Sequence, residues 1–237
     1  MSSPRRYCSY ITFTSSGATA IPDPDYTDIT IVLDRSGSME SCREETIAGF
    51  NRFLDQQRAL PGMASITLIQ FDNQYEKHYV GIPLAEAADL TPQTYVPRSG
   101  TALLDAMGRT IKGLGRHLAS MPQADRPGKV LFVTLTDGQE NASRRYTPSR
   151  VMSMIRHQRE QYGWQFIFLG ANQDAIAAAG QLGIDRDASI TFSTRRSEQT
   201  WNTLGTAMSR FRRGDDADVS FSAEEREESG DNDASDD

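Results

Sequence analysis

Residues 34–38 read Asp-Arg-Ser-Gly-Ser and place one carboxylate and two hydroxyls at alternate positions of a short loop. The loop follows the apolar run of residues 29–33, which is typical of a buried strand. In open α/β sheets, ligands bind outside the carboxyl ends of the strands, where this loop is expected to lie. Oxygen donors without thiols or imidazoles suit Mg²⁺, Mn²⁺ or Ca²⁺ rather than zinc or copper. Asp34, Ser36 and Ser38 are therefore predicted to hold a divalent metal ion.

Two further segments also combine hydroxyl or carboxylate side chains with a glycine. Residues 99–104 read Ser-Gly-Thr-Ala-Leu-Leu, and residues 136–138 read Thr-Asp-Gly directly after the apolar run 130–135. With the first loop, they resemble the metal-ion-dependent adhesion site of the von Willebrand factor A family, also called the integrin I-domain family. That site is written D-x-S-x-S, followed by a Thr on a second loop and an Asp on a third. The resemblance covers roughly residues 26–213, and the metal-binding residues that it implies are Asp34, Ser36, Ser38, Thr101 and Asp137.

The resemblance implies a fold and a function. The fold is an α/β, doubly wound, mostly parallel central sheet flanked by helices. The metal is Mg²⁺, with Mn²⁺ or Ca²⁺ as alternatives; the two serines ligate directly, Thr101 directly or through water, and the aspartates often through water. The function is metal-dependent binding of an Asp or Glu from a protein partner, within an intracellular assembly. Arg35 stands where a small hydroxyl residue is common, and we expect it to leave the ligands intact.

The chemistry of these residues agrees with binding rather than catalysis. Three neutral hydroxyls and two carboxylates leave a divalent cation under-neutralised, so that it attracts a further carboxylate. No nucleophile or base is indicated beside the loops, and we expect no enzymatic activity. Two alternatives stay open: a Mg²⁺-dependent phosphatase or phosphotransferase that uses Asp34 as its nucleophile, and a scaffold with a vestigial metal site. An EF-hand is excluded because Met39 stands where that loop needs Gly.

Alternating strand and helix patterns fill the middle of the chain and predict a parallel sheet. Strands are predicted near residues 28–33, 66–71, 129–135, 164–169 and 188–192, with a hairpin partner near 75–80. A helix after Thr101 buries a stripe that comprises Leu104, Met107, Ile111, Leu114 and Leu118. The closing helix buries Trp201, Leu204, Met208 and Phe211 and ends at Gly214. Ser41–Glu44 is predicted to form a capping box, Thr101 to cap the second helix, and Thr147 with Pro148 to start another.

The two ends differ from the middle. Residues 1–25 are predicted to form an irregular extension, and residues 214–237 a disordered acidic tail with 11 acidic residues and one Arg. The remaining 213 residues carry 24 basic and 21 acidic side chains, so the body is mildly basic. The tail either contacts the metal or the arginine pairs, or serves only as a solubilising appendage.

Composition limits the cellular setting. No apolar run approaches the roughly 20 residues of a membrane span. Residues 18–20 mimic a signal-peptide cleavage site, but the segment before them is too polar for an apolar core, and we expect a cytoplasmic protein. The two cysteines, Cys8 and Cys42, suggest neither a disulfide framework nor a metal spacing.

Several polar residues have two readings. Asp105 either supports the metal site or is a solvated helix residue, and residues 139–141 either select the partner or shape the turn after Asp137. The three histidines share no ligand spacing and are expected to be ordinary packing or surface residues. The arginine pairs, among them Arg144 and Arg145, are expected to be solvated helix ends. Nucleic acid binding is not favoured, because residues 1–213 have little excess positive charge and no segment in which aromatic and basic residues are interleaved.

Overall fold

The structure, a computed structural model, describes residues 21–171, 174–193 and 196–230. Most of the predicted N-terminal extension and the last seven residues of the predicted tail therefore lie outside the described residues. The described chain forms six strands, which are β1 (Asp23–Asp34), β2 (Met63–Phe71), β3 (Tyr75–Pro83), β4 (Pro127–Thr136), β5 (Gln165–Ala171) and β6 (Ser189–Phe192). The strands predicted from the apolar runs are confirmed, and β1 begins at Asp23, five residues before the predicted start at residue 28.

Six α-helices connect or follow these strands. They are α1 (Arg43–Arg58), α2 (Leu103–Ser120), α3 (Pro148–Tyr162), α4 (Asp174–Gln181), α5 (Ser197–Arg213) and α6 (Ala223–Ser229). A 3-10 helix at Gly37–Cys42 joins the first loop to α1. The apolar stripes predicted for α2 and α5 are buried in the structure, which confirms both helices and their inward faces.

The strands form one sheet in the order β3-β2-β1-β4-β5-β6. All neighbouring strands are parallel except the β2–β3 hairpin, so the predicted doubly wound, mostly parallel sheet is confirmed. The chain leaves β1 toward β2 and later returns to pair β4 on the other side of β1. The carboxyl ends of β1 and β4 therefore meet at the topological switch point, where open α/β sheets bind ligands.

Each face of the sheet is covered by its own hydrophobic core. One core joins the sheet to α1 and α5, and the other joins it to α2, α3 and α4. Alternation along β1 serves both cores, because Ile31 and Leu33 point to the first and Val32 points to the second. A strand covered on both faces has no polar side to expose, which explains its continuous apolar sequence.

Helices α1 and α5 pack closely because α1 carries a glycine where they meet. Trp201 of α5 is fully buried against the rings of Phe50 and Phe53, with centroid separations of 5.4 Å and 5.6 Å. A Cβ on Gly49 would lie 2.4 Å from Cδ1 of the Trp201 indole. The indole therefore occupies the space that a side chain at position 49 would need.

Gly49→Ala is expected to lower the free energy of unfolding by about 1–3 kcal/mol, because the added methyl group overpacks this contact. The measurement is denaturant unfolding followed by tryptophan fluorescence. Gly113→Ala in α2 is the matched control, since a Cβ there meets no atom within 4 Å. The control is expected to gain up to about 1 kcal/mol from helix propensity. Equal stability of the two variants would contradict the assigned packing.

Two predicted helix caps are wrong and one is confirmed, although all three helices begin within two residues of the predicted positions. Thr147 caps α3 by accepting a hydrogen bond from the Arg150 N–H, with Pro148 at the first helical position. The N-cap residue of α1 is Cys42, which provides no side-chain cap, because the preceding segment winds into a 3-10 helix. Helix α2 begins after Ala102, also without a cap from that residue, so Thr101 does not cap it.

Residues 214–230 differ from the predicted disordered tail. Gly214 ends α5 in the left-handed conformation, as expected, but the following chain packs back on the domain. Val219 and Phe221 are each 3% exposed and join the core beside α5. Helix α6 starts with a capping box formed by Ser222 and Glu225. The prediction of disorder rested on the number of acidic residues and overlooked these two apolar side chains, which lie between the acidic runs.

The tail also contacts one of the arginines that the sequence analysis singled out. Arg210 forms ion pairs with Asp216 at 2.8 Å and with Glu225 at 2.7 Å. Partial burial raises the pKa of the Glu225 carboxyl, but the hydrogen bonds from Arg210 and from the Ser222 N–H outweigh it, so the pKa lies below its usual range. The segment thus holds to α5 by both apolar burial and charge, and it does not reach the predicted metal loops.

No helix within the described ranges is both long enough and apolar enough to cross a lipid bilayer.

Candidate metal centre

The two predicted acidic ligands lie at the ends of neighbouring central strands. Asp34 is the last residue of β1, and Asp137 directly follows β4. The side chain of Asp34 is fully buried, and its two oxygens accept hydrogen bonds from the Ser36 N–H at 2.6 Å and the Thr136 hydroxyl at 2.6 Å. Asp34 thus forms the floor of the site and orients the first loop above it.

The three predicted hydroxyl ligands converge at Gly138. A Cβ placed on this glycine would lie 2.8 Å from Thr101 Oγ1, 3.4 Å from Ser38 Oγ and 3.6 Å from Ser36 Oγ. Ser38 Oγ also donates a hydrogen bond of 2.7 Å to Oδ1 of Asp137. The structure therefore brings all five predicted residues, from three distant segments, around one side-chain-free corner.

The spacing of these oxygens fits a small divalent cation. Ser36 Oγ and Ser38 Oγ lie 3.1 Å apart. The two hydroxyls are hydrogen-bonded to each other at this distance, which is also close to the spacing of about 3.0 Å between neighbouring ligands of an octahedral Mg²⁺ ion. Since hard oxygen donors are also what Mg²⁺ prefers, the residues present are suited to Mg²⁺ or the similar Mn²⁺.

Burial raises the pKa values of both carboxyl groups. Desolvation raises the pKa of Asp34 to about 7, although hydrogen bonds from Thr136 and Ser36 oppose the shift. Desolvation also raises the pKa of Asp137, against the hydrogen bond from Ser38. A bound cation would favour the ionised forms of both groups, because an opposite charge nearby stabilises a carboxylate. A cation that bound here would therefore displace protons from these carboxyl groups.

The loop that carries Thr101 is held against the loop after Asp137. The Thr101 N–H donates to Oδ1 of Asn141 at 2.9 Å, and the Thr101 carbonyl accepts from the Asn141 N–H at 3.0 Å. The Gly37 N–H donates to the Ser99 carbonyl at 3.0 Å, and Ser99 has a left-handed backbone with φ of 59°. Because backbone contacts join all three loops, Thr101 is 2% exposed and points inward.

The residues after Asp137 shape the turn. One carboxylate oxygen of Glu140 accepts from the Leu104 N–H at 2.9 Å, and the other accepts from the Ser143 N–H at 2.7 Å. Glu140 therefore supplies the cap at the start of α2 that the sequence analysis assigned to Thr101. Asn141 and Glu140 thus shape the turn after Asp137, which is one of the two roles predicted for this segment.

Asp105 is a supporting residue rather than a solvated one. Its carboxylate accepts hydrogen bonds from the backbone N–H groups of Arg144, Arg145 and Tyr146, at 2.8–3.0 Å. These bonds outweigh partial burial and lower the pKa of Asp105. Asp105 thereby ties α2 to the loop that follows Asp137 and Glu140.

Sequence reasoning missed a second supporting group on the other side of Asp34. The Tyr95 hydroxyl donates to the Asp34 carbonyl at 2.6 Å. Arg35 is buried and forms ion pairs with Asp72 at 3.3 Å and Glu76 at 2.7 Å, and Arg98 donates to Asp72 at 2.7 Å. Arg35 therefore joins the first loop to the β2–β3 hairpin and points away from the three hydroxyls. The only sequence signal for these partners was the unusual Arg35 itself.

In the part of the chain that the structure describes, no group of three or more His, Cys, Asp or Glu side chains is placed to hold a metal. The five predicted metal ligands do not form such a group, because three of them carry hydroxyls and only two carry carboxylates. His78 lies on β3, His117 on α2 and His157 on α3, and none hydrogen-bonds to the five predicted residues. The expected role of these histidines as ordinary residues stays a prediction.

Solved structures share this architecture. Proximal thread matrix protein 1 of the mussel byssus matches with a TM-score of 0.54 and 14% identity, over 78% of this chain and 46% of that protein. A von Willebrand factor type A protein from Catenulispora acidiphila matches with a TM-score of 0.51 and 15% identity, over 77% of this chain and 42% of its own. This chain has the von Willebrand factor A fold. The pilus adhesin SpaC of Lactobacillus rhamnosus GG matches with a TM-score of 0.58 and 15% identity, over 81% of this chain and 31% of the adhesin.

The likeness is structural and partial. This chain spans less than half the length of each of these three proteins. A scan of protein-family models and a search of curated proteins find no match to its sequence. One structure of the mussel protein has a zinc-occupied metal-ion-dependent adhesion site. Divalent metal binding therefore occurs on this fold, and whether it occurs in this chain depends on the residues around Gly138.

Proposed function

We propose that this protein is a metal-dependent protein-interaction module, which binds an acidic residue of a partner through a divalent cation. The observation that carries the proposal is the convergence of Ser36, Ser38 and Thr101 on the side-chain-free corner at Gly138, directly beside Asp137. Asp34 lies beneath them as a second carboxylate.

The charge of this set explains why a partner carboxylate is attracted. Two ionised aspartates match the charge of Mg²⁺. Where they bind the ion through water, however, its direct protein ligands are the neutral hydroxyls, and Mg²⁺ fills its remaining positions with water or with acidic groups. An Asp or Glu from another protein would add a charge to the set in partly dry surroundings, where electrostatic attraction is strong. The hard oxygen donors support Mg²⁺ or Mn²⁺, with Ca²⁺ as the alternative.

The fold supports the same class of function. Von Willebrand A domains generally mediate protein–protein interactions, and the matched structures include a thread matrix protein and a pilus adhesin. We also propose a cytoplasmic setting, based on the polar composition of the N-terminal segment.

An enzyme that uses Asp34 as a nucleophile is not favoured. Both carboxylate oxygens of Asp34 are engaged by hydrogen bonds, and the side chain is fully buried, whereas a nucleophile needs an oxygen open to its substrate. Hydrolysis of a phosphate ester by the wild type but not by Asp34→Asn would overturn this view.

Isothermal titration of the metal-stripped protein with Mg²⁺, Mn²⁺ and Ca²⁺ tests the proposal. We expect saturable binding of Mg²⁺ and Mn²⁺ that Asp34→Ala abolishes and that Thr101→Ala weakens by about tenfold to 100-fold. Asp34→Ala removes the buried carboxylate, and Thr101→Ala removes one of the three converging hydroxyls.

Asp28→Asn is the matched control, because Asp28 lies on the same strand and is buried to a similar degree. Its carboxylate accepts hydrogen bonds from the Thr30 and Ser65 hydroxyls, and it lies six residues before Asp34, in the middle of β1. The control should bind Mg²⁺ like the wild type. A wild-type protein that binds none of the three ions, with or without an acidic peptide, would favour the scaffold with a vestigial site.

A further inference from the structure

A basic groove adjoins the proposed metal site. It has a volume of about 970 Å³ and lies between α2, the start of β3 and the loop that follows Asp137. Five exposed cationic side chains line it, and they are Arg109, Lys112, Arg116, Arg144 and Arg145. Asp105 is the only acidic residue in its lining, and that carboxylate is occupied by three backbone N–H groups.

The positive charge of this groove is only partly offset by the described protein, through the electrostatic interaction between Asp105 and Arg145. None of its five cationic groups forms a salt bridge with a carboxylate of residues 21–171, 174–193 or 196–230. By contrast, Arg35, Arg58, Arg98 and Arg210 each pair with two carboxylates. A concave surface with concentrated charge of one sign attracts ligands of the opposite sign.

The groove and the metal site share a wall. Gly100 and Asn141 line the groove, and the Asn141 side chain accepts a hydrogen bond from the Thr101 N–H. Asp105 fixes the backbone of residues 144–146 to α2, and so holds Arg144 and Arg145 on the same side as the α2 cations. A chain that placed one carboxylate at the metal could therefore continue directly into the groove.

The spacing of the α2 cations suits an extended chain. Arg109, Lys112 and Arg116 lie at i, i+3 and i+7 on one helical face, and this row is about 10 Å long. About three residues of extended polypeptide cover that length. Acidic residues at short intervals along a segment would therefore meet successive cations.

We propose that the groove binds an acidic polypeptide segment, of which one carboxylate takes the metal and the neighbouring carboxylates pair with Lys112, Arg116 and Arg145. This inference rests on the proposed function and names the chemistry of its partner. A nucleic acid fits the surface less well, because binding of single strands uses exposed aromatic faces. The aromatic rings that line the groove, Tyr75 and Tyr146, are covered by the guanidinium groups of Arg109 and Arg150, at 4.1 Å and 5.5 Å from the ring centroids.

The test compares two fluorescently labelled peptides of equal length by anisotropy, at low salt with Mg²⁺. One peptide is rich in glutamate, and the other has a single glutamate among serines and glycines. The wild type should bind the glutamate-rich peptide about tenfold more tightly, because several exposed ion pairs add modest increments each. Lys112→Glu/Arg116→Glu should remove this preference and leave binding of the single-glutamate peptide and of Mg²⁺ unchanged.

Lys77→Glu/Arg156→Glu is the matched control, since it changes the net charge equally at exposed positions outside the groove. The control should keep most of the preference. A preference that is absent, or equally reduced in both variants, would overturn the groove assignment while leaving the metal site intact. Tighter binding of a single-stranded oligonucleotide than of the glutamate-rich peptide would also overturn it.

The metal titration separates this result from a failure of the proposed function. If Mg²⁺ does not bind, and the glutamate-rich peptide still binds the wild type but not Lys112→Glu/Arg116→Glu, the groove assignment is supported and the metal site is not. If Mg²⁺ binds and both peptides bind equally, the metal site is supported and the groove is not.

Discussion

Gly138→Ala is expected to weaken Mg²⁺ and Mn²⁺ binding by at least about 100-fold and to leave the fold intact. The methyl group would lie 2.8 Å from Thr101 Oγ1 and close to the Ser36 and Ser38 hydroxyls, in the corner where these oxygens converge. Gly138 does not have a positive φ, so alanine is compatible with its backbone. The loss of affinity would therefore come from the occupied corner and not from strain.

The measurement is isothermal titration of metal-stripped wild type and variant, accompanied by thermal unfolding without metal. Gly113→Ala serves again as the glycine control, because its Cβ would face open space. Unchanged Mg²⁺ affinity in Gly138→Ala would show that the ion, if bound, lies elsewhere. A collapse of stability in the metal-free variant would instead mean that the corner is needed for packing.

The second large effect concerns pH. Without metal, the free energy of unfolding is expected to fall by up to about 4 kcal/mol between pH 4 and pH 7 because of Asp34. The folded-state pKa of this carboxyl is about 7, whereas the value in an unfolded chain is about 3.9. Between these values the folded protein holds a proton that the unfolded chain releases. Stability from this group is therefore greatest below pH 4 and declines as the pH rises through 7.

Asp34→Asn should flatten this decline, since an amide does not titrate. Denaturant unfolding at several pH values, with a metal chelator present, gives the comparison. Asp28 and Asp137 also have raised pKa values and contribute the same sign, so the decisive quantity is the difference between wild type and Asp34→Asn. Parallel pH profiles of these two proteins would contradict the burial assigned to Asp34.

Above pH 7, bound Mg²⁺ should restore the stability that the metal-free protein loses as the pH rises. Mg²⁺ at 100 times its dissociation constant would stabilise the wild type by about 2.7 kcal/mol, because it binds only the folded state. Asp28→Asn should respond to Mg²⁺ as the wild type does, whereas Asp34→Asn should not. This pattern would link the buried charge of Asp34 to the cation that the site is proposed to hold.

Much of the fold was predictable from local patterns. The apolar runs that end at residues 33 and 135 required buried strands, and the stripe from Leu104 to Leu118 required an inward-facing helix. These features depend on periodicity and burial, which are readable from neighbouring residues. The start of α2 was not predictable in the same way, because its cap comes from Glu140, 36 residues from Leu104.

The tail shows a different limit of sequence reasoning. Eleven acidic residues dominate the average composition of residues 214–237, and an average hides two isolated apolar side chains. Val219 and Phe221 are buried because the chain turns back after Gly214 and meets the core beside α5. The decisive contacts, such as that between Arg210 and Glu225, form only once α5 is in place.

The sequence by itself determined which residues were available for metal chemistry and that they follow strands. Asp34, Ser36 and Ser38 are neighbours in the chain, so their alternation on one loop needed no tertiary information. Only the tertiary structure placed Ser38 within 2.7 Å of Asp137, 99 residues away, and set both beside the glycine corner. It also assembled the basic groove from α2 and a distant loop. The physical reason is that the sheet order brings β1 and β4 together, and strand pairing across such sequence separations is decided by the packing of the whole domain.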